Sequence, residues 1–350
     1  PPPPPPFSSR RRHTRSCLKS RGLGDVYKRQ PVGEAGEYKP LVLDNSARLY
    51  LYRYWDYQEK LARAIKERTL DTGDIIESRM LKDRLSRLFP TAKPVEIDWQ
   101  QVAAFTALTK RFCVISGGPG TGKTTTVASI LALLLERAGP RKPRRALAAP
   151  TGKASARLQE AIGLVKDTLN CPENIKEAIP EEASTIHRLL GSIPDSPYFR
   201  HNETNPLPVD VVVVDEASMV DLALLAKLVQ ALPAKARLIL LGDKDQLASV
   251  EAGAVLGDIC DTGNVHGYSK SFCDSLGGVT GYRLEGELCG EPESGLNDCI
   301  VHLQKNYRFG ADSGIGTVSQ AVNEGDGVRA MGLLQDGQYG DIAWRDLPQA

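Results

Sequence analysis

Eight consecutive residues, Gly117-Gly118-Pro119-Gly120-Thr121-Gly122-Lys123-Thr124, have the types and spacing to hold a phosphate. They fit G-x-x-x-x-G-K-[ST], a loop whose backbone N–H groups turn inward on an anion. Lys123 can reach the β- and γ-phosphates of a nucleotide, and the Thr124 hydroxyl can sit on Mg²⁺. A glycine-rich turn that merely joins two elements is the bland alternative, and the flanks argue against it. Phe112 to Ser116 is a short apolar run that reads as a buried strand. Thr124 to Ala138 lacks Gly and Pro, with Val127, Ile130, Leu131, Leu134 and Leu135 at helical spacing. A helix N-terminus is therefore expected at the loop, which favours negative charge there.

A second constellation follows the valine run that ends at Val214, where Asp215 and Glu216 stand in sequence. Two carboxylates at the tip of an apolar strand are costly unless a cation or water chemistry uses them. Asp215 can join Thr124 on Mg²⁺, and Glu216 can polarise an attacking water. A solvated turn after a strand is the alternative. The next strand, Arg237 to Leu241, runs into Gly242-Asp243-Lys244-Asp245-Gln246-Leu247, which makes Gln246 a candidate γ-phosphate sensor. Lys244-Asp245 does not fit N-K-x-D, so guanine specificity is unsupported. Gln100, just upstream of the first strand, can read the donor/acceptor pair of adenine with its amide. Arg308, in Tyr307-Arg308-Phe309, can act as an arginine finger if a second domain supplies it.

Positioning these residues requires alternating strands and helices. The order predicts an α/β fold with a parallel sheet, helices on both faces and the ligand outside the strand C-termini. At the end of the strand Ala146 to Ala149, Thr151 and Lys153 open a helix expected to run through Leu158. That arrangement suits a nucleic-acid backbone phosphate, and equally an ordinary strand-to-helix turn. His187, in Thr185-Ile186-His187, can be a ligand or a structural histidine. Upstream, Leu41 to Leu43 and Arg48 to Leu51 read as a hairpin turned at Asp44-Asn45-Ser46. Two helices should follow, Tyr54 to Arg68 with Trp55, Leu61, Ala62 and Ile65 on one face, and about Ile75 to Phe89. Tyr50, Tyr52, Tyr54, Trp55 and Tyr57 can fill a small core or stack on bases. The expected divisions are a basic segment over 1–30, a small domain over 31–95 and a nucleotide-binding lobe over 96–260. A Gly-rich inserted loop or subdomain over 261–300 and a further lobe begun at 301–350 complete the expectation.

The 350 residues are 41% hydrophobic and 25% charged, ordinary for a globular chain. The net charge of +1 hides an asymmetry: residues 1–30 carry eight Lys/Arg and one Asp, leaving the rest at −6. A nucleic-acid partner would need a local basic track. Residues 1–30 open on six prolines and read as disordered, as a DNA-binding arm, or as translated adapter sequence, the reading we adopt. No run of 18 apolar residues or secretory signal is visible, and the seven cysteines form no C-x-x-C. The expectation is a cytoplasmic protein with reduced thiols, no membrane span and no zinc.

In order, ISGGPGTGKTTTV, APTGKASARL, TIHRLLG, VVVVDEASMVD, LLGDKDQLASVEAGAVLGDIC and NYRFG resemble the motif series of superfamily 1 helicases of the RecD type. The resemblance covers about residues 38–350. It implies a RecA-like motor fold and an ATP- and Mg²⁺-dependent 5′→3′ DNA motor in bacterial double-strand break repair and recombination. The implied partners are DNA with a RecB-like and a RecC-like subunit. Carried over, Gln100 reads adenine, and Gly117 to Thr124 with Thr125 form the ATP site. Lys123, Asp215, Glu216, Gln246 and Arg308 take catalytic roles. Thr151, Lys153 and His187 fall in segments that touch single-stranded DNA. The family carries further motifs after the Tyr-Arg pair that this sequence lacks. A fragment is therefore expected, with its first lobe whole, its second barely begun and its ATP turnover poor. A stand-alone RecD-like or relaxase-type helicase and a nucleotide-switched binding module remain the rival readings.

Overall fold

The computed structural model describes residues 31–70, 78–90, 96–138, 142–246, 255–262, 266–290, 292, 294–309 and 313–345. The basic stretch 1–30, the helix start expected at Ile75 and Leu247 lie outside them.

A first compact unit ends at Glu59, well before the boundary expected at 95. Its sheet holds β1 (Val32–Glu34), β2 (Leu41–Leu43) and β3 (Leu49–Leu51). β2 and β3 form the expected hairpin, with Leu41 opposite Leu51. Asp44 closes the turn, its Oδ1 accepting from the Ser46 and Arg48 backbone N–H groups at 2.9 Å. β1 pairs with β2 in parallel, a strand the sequence pattern does not announce. Tyr50, Tyr52, Tyr54, Trp55 and Tyr57 are all half-buried. Tyr52 packs edge-on against Tyr38 at 4.8 Å, and packing among the rings is what the small-core reading requires.

The helix Tyr52–Leu70 starts two residues earlier than its pattern predicts. Of its expected face, Ala62 is exposed, and Leu61, Ile65 and Arg68 form the buried stripe. Their spacing of four and three residues is that of one helix face, which Ala62, one position after Leu61, leaves. The second helix is described from Ser78 and ends at Leu88, one residue before the expected Phe89.

The second unit, from Lys60 onward, is organised by one parallel sheet. Its first strands are β4 (Phe112–Ser116), β5 (Arg145–Ala149), β6 (Ala183–Thr185), β7 (Val211–Val214) and β8 (Arg237–Gly242). A separate parallel pair, β9 (Tyr268–Ser269) and β10 (Cys289–Gly290), precedes β11 (Ile300–His302). The sheet order is β11-β4-β8-β7-β5-β6, with every neighbour parallel. The helix Lys123–Arg137 carries the chain from β4 past β8 and β7 to β5. The helix Leu222–Ala231 carries it the opposite way, from β7 to β8. Right-handed crossovers in opposite directions lie on opposite faces. Every position of β4, β7 and β8 is therefore buried, and their central runs Phe112 to Ile115, Val211 to Val214 and Leu238 to Leu241 are continuously apolar instead of alternating. Cys113, Ile115, Val211, Val213, Ile239 and Leu241 enter one core with the helices Trp99–Thr109 and Lys123–Arg137. Each such fully buried valine or leucine contributes about 1.5–3 kcal/mol. One strand, β8, separates the phosphate-loop strand β4 from the acid-bearing strand β7. This is a RecA-like P-loop arrangement.

Three expectations need correction. The helix opened at Gly152 runs to Thr168, ten residues past Leu158, with Ile162 fully buried just before Gly163. Residues 261–300 are no insertion: they hold the helix Lys270–Thr280, and Tyr268, Phe272, Leu276 and Val279 are buried in the main core. Residues 300–302 supply the edge strand of the first sheet, His302 in register with Ser116, so the boundary expected at 301 falls inside β11. Gly277, Gly278 and the surrounding serines dilute the helical pattern there, while long-range burial supplies what local propensity lacks.

Candidate nucleotide site

Strand β4 delivers the phosphate loop to the C-terminal edge of the sheet. The loop is anchored on both sides, Gly117 N–H donating to Gly242 O at 3.1 Å and Leu303 N–H to Ser116 O at 2.8 Å. Gly120 (φ +85°) and Gly122 (φ +81°) hold left-handed conformations that turn successive N–H groups to one side. The helix Lys123–Arg137 then starts with Gly122 as its cap, which offers no side-chain acceptor for the first N–H groups. Those donors and the helix dipole suit an anion.

Lys123 Nζ donates to the carbonyls of Gly117, at 2.6 Å, and Gly118, at 3.0 Å. Burial lowers its pKa from the ordinary ammonium value, whereas Asp243, Asp215 and Glu216 raise it and Arg308 lowers it further. These four charged groups thus all act electrostatically on one lysine. Asp243 itself is buried and accepts from Asp245 N–H at 3.1 Å, a residue absent from the candidate set. Its signal was available: an acid directly after the Gly that ends an apolar strand, as Asp215 directly follows Val214.

Asp215 leaves β7 with its carboxyl pushed up by burial, partly offset by the Glu216 N–H that donates to its Oδ1 at 2.9 Å. Glu216 occupies a left-handed conformation, φ +51°. Ser218, two residues on, is buried, and among the described residues its hydroxyl has no hydrogen-bond partner. A buried carboxylate and an oxygen without a partner on the same turn fit a hard cation that takes oxygen ligands, as Mg²⁺ does. Thr124 is half-buried in the first turn of the phosphate-loop helix, and Thr125 beside it is exposed.

Asp98 caps the helix Trp99–Thr109, accepting from Gln100 N–H at 2.9 Å. Gln100 Nε2 in turn donates to Thr121 O at 3.1 Å, and a Cβ on Gly122 would stand 2.3 Å from that nitrogen. The putting-together of Gln100 and the loop follows from the capped helix leading straight into β4. Tyr307 arrives from the other side: its N–H donates to Gly120 O at 2.8 Å, and its ring edge lies 3.7 Å from the Gly122 Cβ position. An exposed aromatic beside an amide that can read adenine offers a stacking surface, and sequence reasoning passed over it.

Arg308 follows β11 of the same sheet, and its Cβ stands 2.6 Å from where a Cβ on Gly120 would be. Gln246 lies in the loop after β8, exposed, its N–H donating to Asp243 O at 3.3 Å. Thr151 caps the helix Gly152–Thr168, accepting from Ala154 N–H at 3.2 Å. His187 stacks edge-on to Phe199 at 5.6 Å. Both follow neighbouring strands, since Ala149 of β5 pairs with Thr185 of β6. Lys153 lines a shallow groove with Arg157, Gln159, Glu160 and Glu181. Thr151, Lys153 and His187 therefore share one stretch of the sheet edge, beyond β7 from the phosphate loop. Among the described residues no helix is long and apolar enough to cross a membrane.

Comparison with known proteins agrees with this geometry. The AAA domain family matches residues 100–252, the stretch from Gln100 through the loop after β8. RecBCD enzyme subunit RecD of Haemophilus influenzae is 43% identical over 282 residues, 79% of this chain and 43% of that protein. RecBCD enzyme subunit RecD of Mycobacterium tuberculosis is 42% identical over 296 residues, 83% of this chain and 44% of that one. ATP-dependent RecD2 DNA helicase of Deinococcus radiodurans is 44% identical over 146 residues, 42% of this chain and 17% of that one. The chain spans less than half the length of these curated relatives. Within that span, and with the nucleotide site inside it, the chain belongs to the RecD family.

Proposed function

We propose that this chain forms the ATP-hydrolysing core of a 5′→3′ DNA helicase subunit. Its partners are a RecB-like and a RecC-like subunit, acting in the bacterial cytoplasm on duplex ends during break repair and recombination. The observation that carries this reading is that the phosphate loop after β4, Asp215 after β7 and Asp243 after β8 all stand at the C-terminal edge of one parallel sheet.

In this reading the N–H groups of Gly118 and of Gly120 to Thr124 cradle the phosphates, and Lys123 exchanges its bonds to Gly117 and Gly118 for phosphate oxygens. Thr124 and Asp215 would hold Mg²⁺, which would supply charge neutralisation for the phosphates. Glu216 takes the proton of the attacking water, and Arg308 and Gln246 answer charge on the γ-phosphate. Gln100 reads adenine, with Thr125 at the mouth of the site. Thr151, Lys153 and His187 hold a DNA strand, the first two through backbone phosphates.

The test is Mg·ATP binding followed by calorimetry with the 350-residue chain. Binding that vanishes in Lys123→Ala, together with single-turnover hydrolysis that vanishes in Glu216→Gln while binding persists, supports the assignment. Equal loss of binding in both variants would contradict the roles given to them.

A further inference from the structure

The segment that carries Arg308 is fastened to the phosphate loop by a residue with no role so far. Asn306 Nδ2 donates to Pro119 O at 3.0 Å. Its Oδ1 accepts two backbone N–H groups, from Arg308 at 2.8 Å and Phe309 at 2.9 Å. One amide thus uses both ends, its nitrogen donating to a carbonyl while its oxygen accepts two N–H groups. The next residue adds a second tie, Tyr307 N–H to Gly120 O at 2.8 Å. Two consecutive carbonyls of the loop, at Pro119 and Gly120, are therefore taken by two consecutive residues of the arginine segment.

The contact is too close for a side chain on the loop. A Cβ on Gly120 would lie 2.7 Å from Asn306 Oδ1 as well as 2.6 Å from Arg308 Cβ. Local side-chain-to-backbone bonds of this Asn type fix a turn without help from a helix or a ladder. Here the turn fixed is the one that presents Arg308, whose long side chain is otherwise exposed. Pre-organising the backbone beneath a flexible cation reduces what must be ordered when the anion arrives.

We propose that Asn306 is a positioning residue for nucleotide recognition, setting Arg308 against the phosphate loop so that the chain distinguishes a γ-phosphate from its absence. The inference rests on the ATP-site reading above and deepens it. Asn306 touches no phosphate in this account and acts through Arg308.

The readout is a ratio, the dissociation constant for Mg·ADP divided by that for a non-hydrolysable Mg·ATP analogue, measured on the full 350-residue chain. Arg308→Ala should lower that ratio about tenfold, the scale of one hydrogen bond to a charged group. Asn306→Ala should lower it by a similar factor, and should add nothing in the Arg308→Ala background. Asn306→Asp keeps the acceptor of the turn but sets an oxygen against the Pro119 carbonyl, so its ratio should fall between parent and Asn306→Ala. ADP binding by each variant reports that the loop is still folded. A ratio unaltered in Asn306→Ala while Arg308→Ala lowers it would overturn the proposal and leave the site reading standing. A parent chain that binds neither nucleotide would overturn the site reading itself. Equal, additive losses in the double variant would show Asn306 acting independently of Arg308, which also overturns it.

Discussion

Glu216 follows Asp215 in a left-handed conformation, φ +51° and ψ +41°, and its N–H donates back to Asp215 Oδ1 at 2.9 Å. For a residue with a Cβ this region costs about 1–2 kcal/mol. The strain persists because β7, buried at every position, fixes the chain before it and the turn Ala217–Met219 fixes the chain after it. Glu216→Gly should therefore raise unfolding stability by about 1 kcal/mol in urea denaturation. The same variant should lose single-turnover hydrolysis, so stability and activity move in opposite directions. Unchanged or lower stability would show that the turn is not strained in solution.

Asp215 carries a second signature, in pH. Burial raises its folded pKa above the ordinary 3.8, the value expected unfolded. Between those two values the folded state binds the extra proton, so stability falls as pH rises through that window. The loss is complete above the folded pKa. Asp215→Asn should consequently be more stable than the parent at pH 7 without Mg²⁺, and the gain should shrink on acidification through the window. Added Mg²⁺ should stabilise the parent and leave Asp215→Asn unmoved. Thermal melting at several pH values, with and without the ion, decides it. A variant stabilised by Mg²⁺ as much as the parent would remove Asp215 from the ion site.

Gly122 links the phosphate loop to the base pocket. Its φ of +81° disfavours any side chain, and an added Cβ would meet Gln100 Nε2 at 2.3 Å. The amide would have to give up its bond to Thr121 O. Gly122→Ala should cost about 1–2 kcal/mol in stability from the backbone alone. It should also reduce the preference for ATP over GTP, as Gln100→Ala should, when both affinities are measured by competition. An intact preference in Gly122→Ala would show that Gln100 does not read the base.

The sequence made the central site legible because its parts are local. The phosphate loop, its strand, its helix and the Asp215-Glu216 pair each occupy a few consecutive residues whose chemistry is bound to their spacing. Gln100, too, is tied to the loop by a short capped helix. Asp243 and Tyr307 escaped because their roles come from strand order: Asp243 follows β8, which the fold inserts between β4 and β7. Arg308 was recognised as a candidate but its place beside the phosphate loop was not, since nothing local reveals that Ile300 to His302 return to pair with β4. The helix Lys270–Thr280 was missed for a related reason. Its glycines weaken the pattern, and the burial of Phe272 and Leu276 that stabilises it is supplied by distant residues.

At the far end of the sheet edge, charge and ring stacking can be separated by salt. Lys153 and Arg157 are exposed, one helical turn apart, on the groove beside β5 and β6. If they contact backbone phosphates of a single strand, each replaced by Ala should weaken oligonucleotide binding. Each should also reduce the slope of log K against log salt by about 0.7, one released counterion apiece. His187, exposed and set edge-on to Phe199, can contact a base through its ring. His187→Ala should then weaken binding while leaving the slope intact. Fluorescence anisotropy with an oligothymidine across a salt series measures both quantities together. The groove also carries Glu160 and Glu181, which repel phosphate, so Glu160→Gln should tighten binding if the strand runs along it. Tighter binding in that variant with unchanged slopes in Lys153→Ala and Arg157→Ala would move the strand off these two cations and back toward His187.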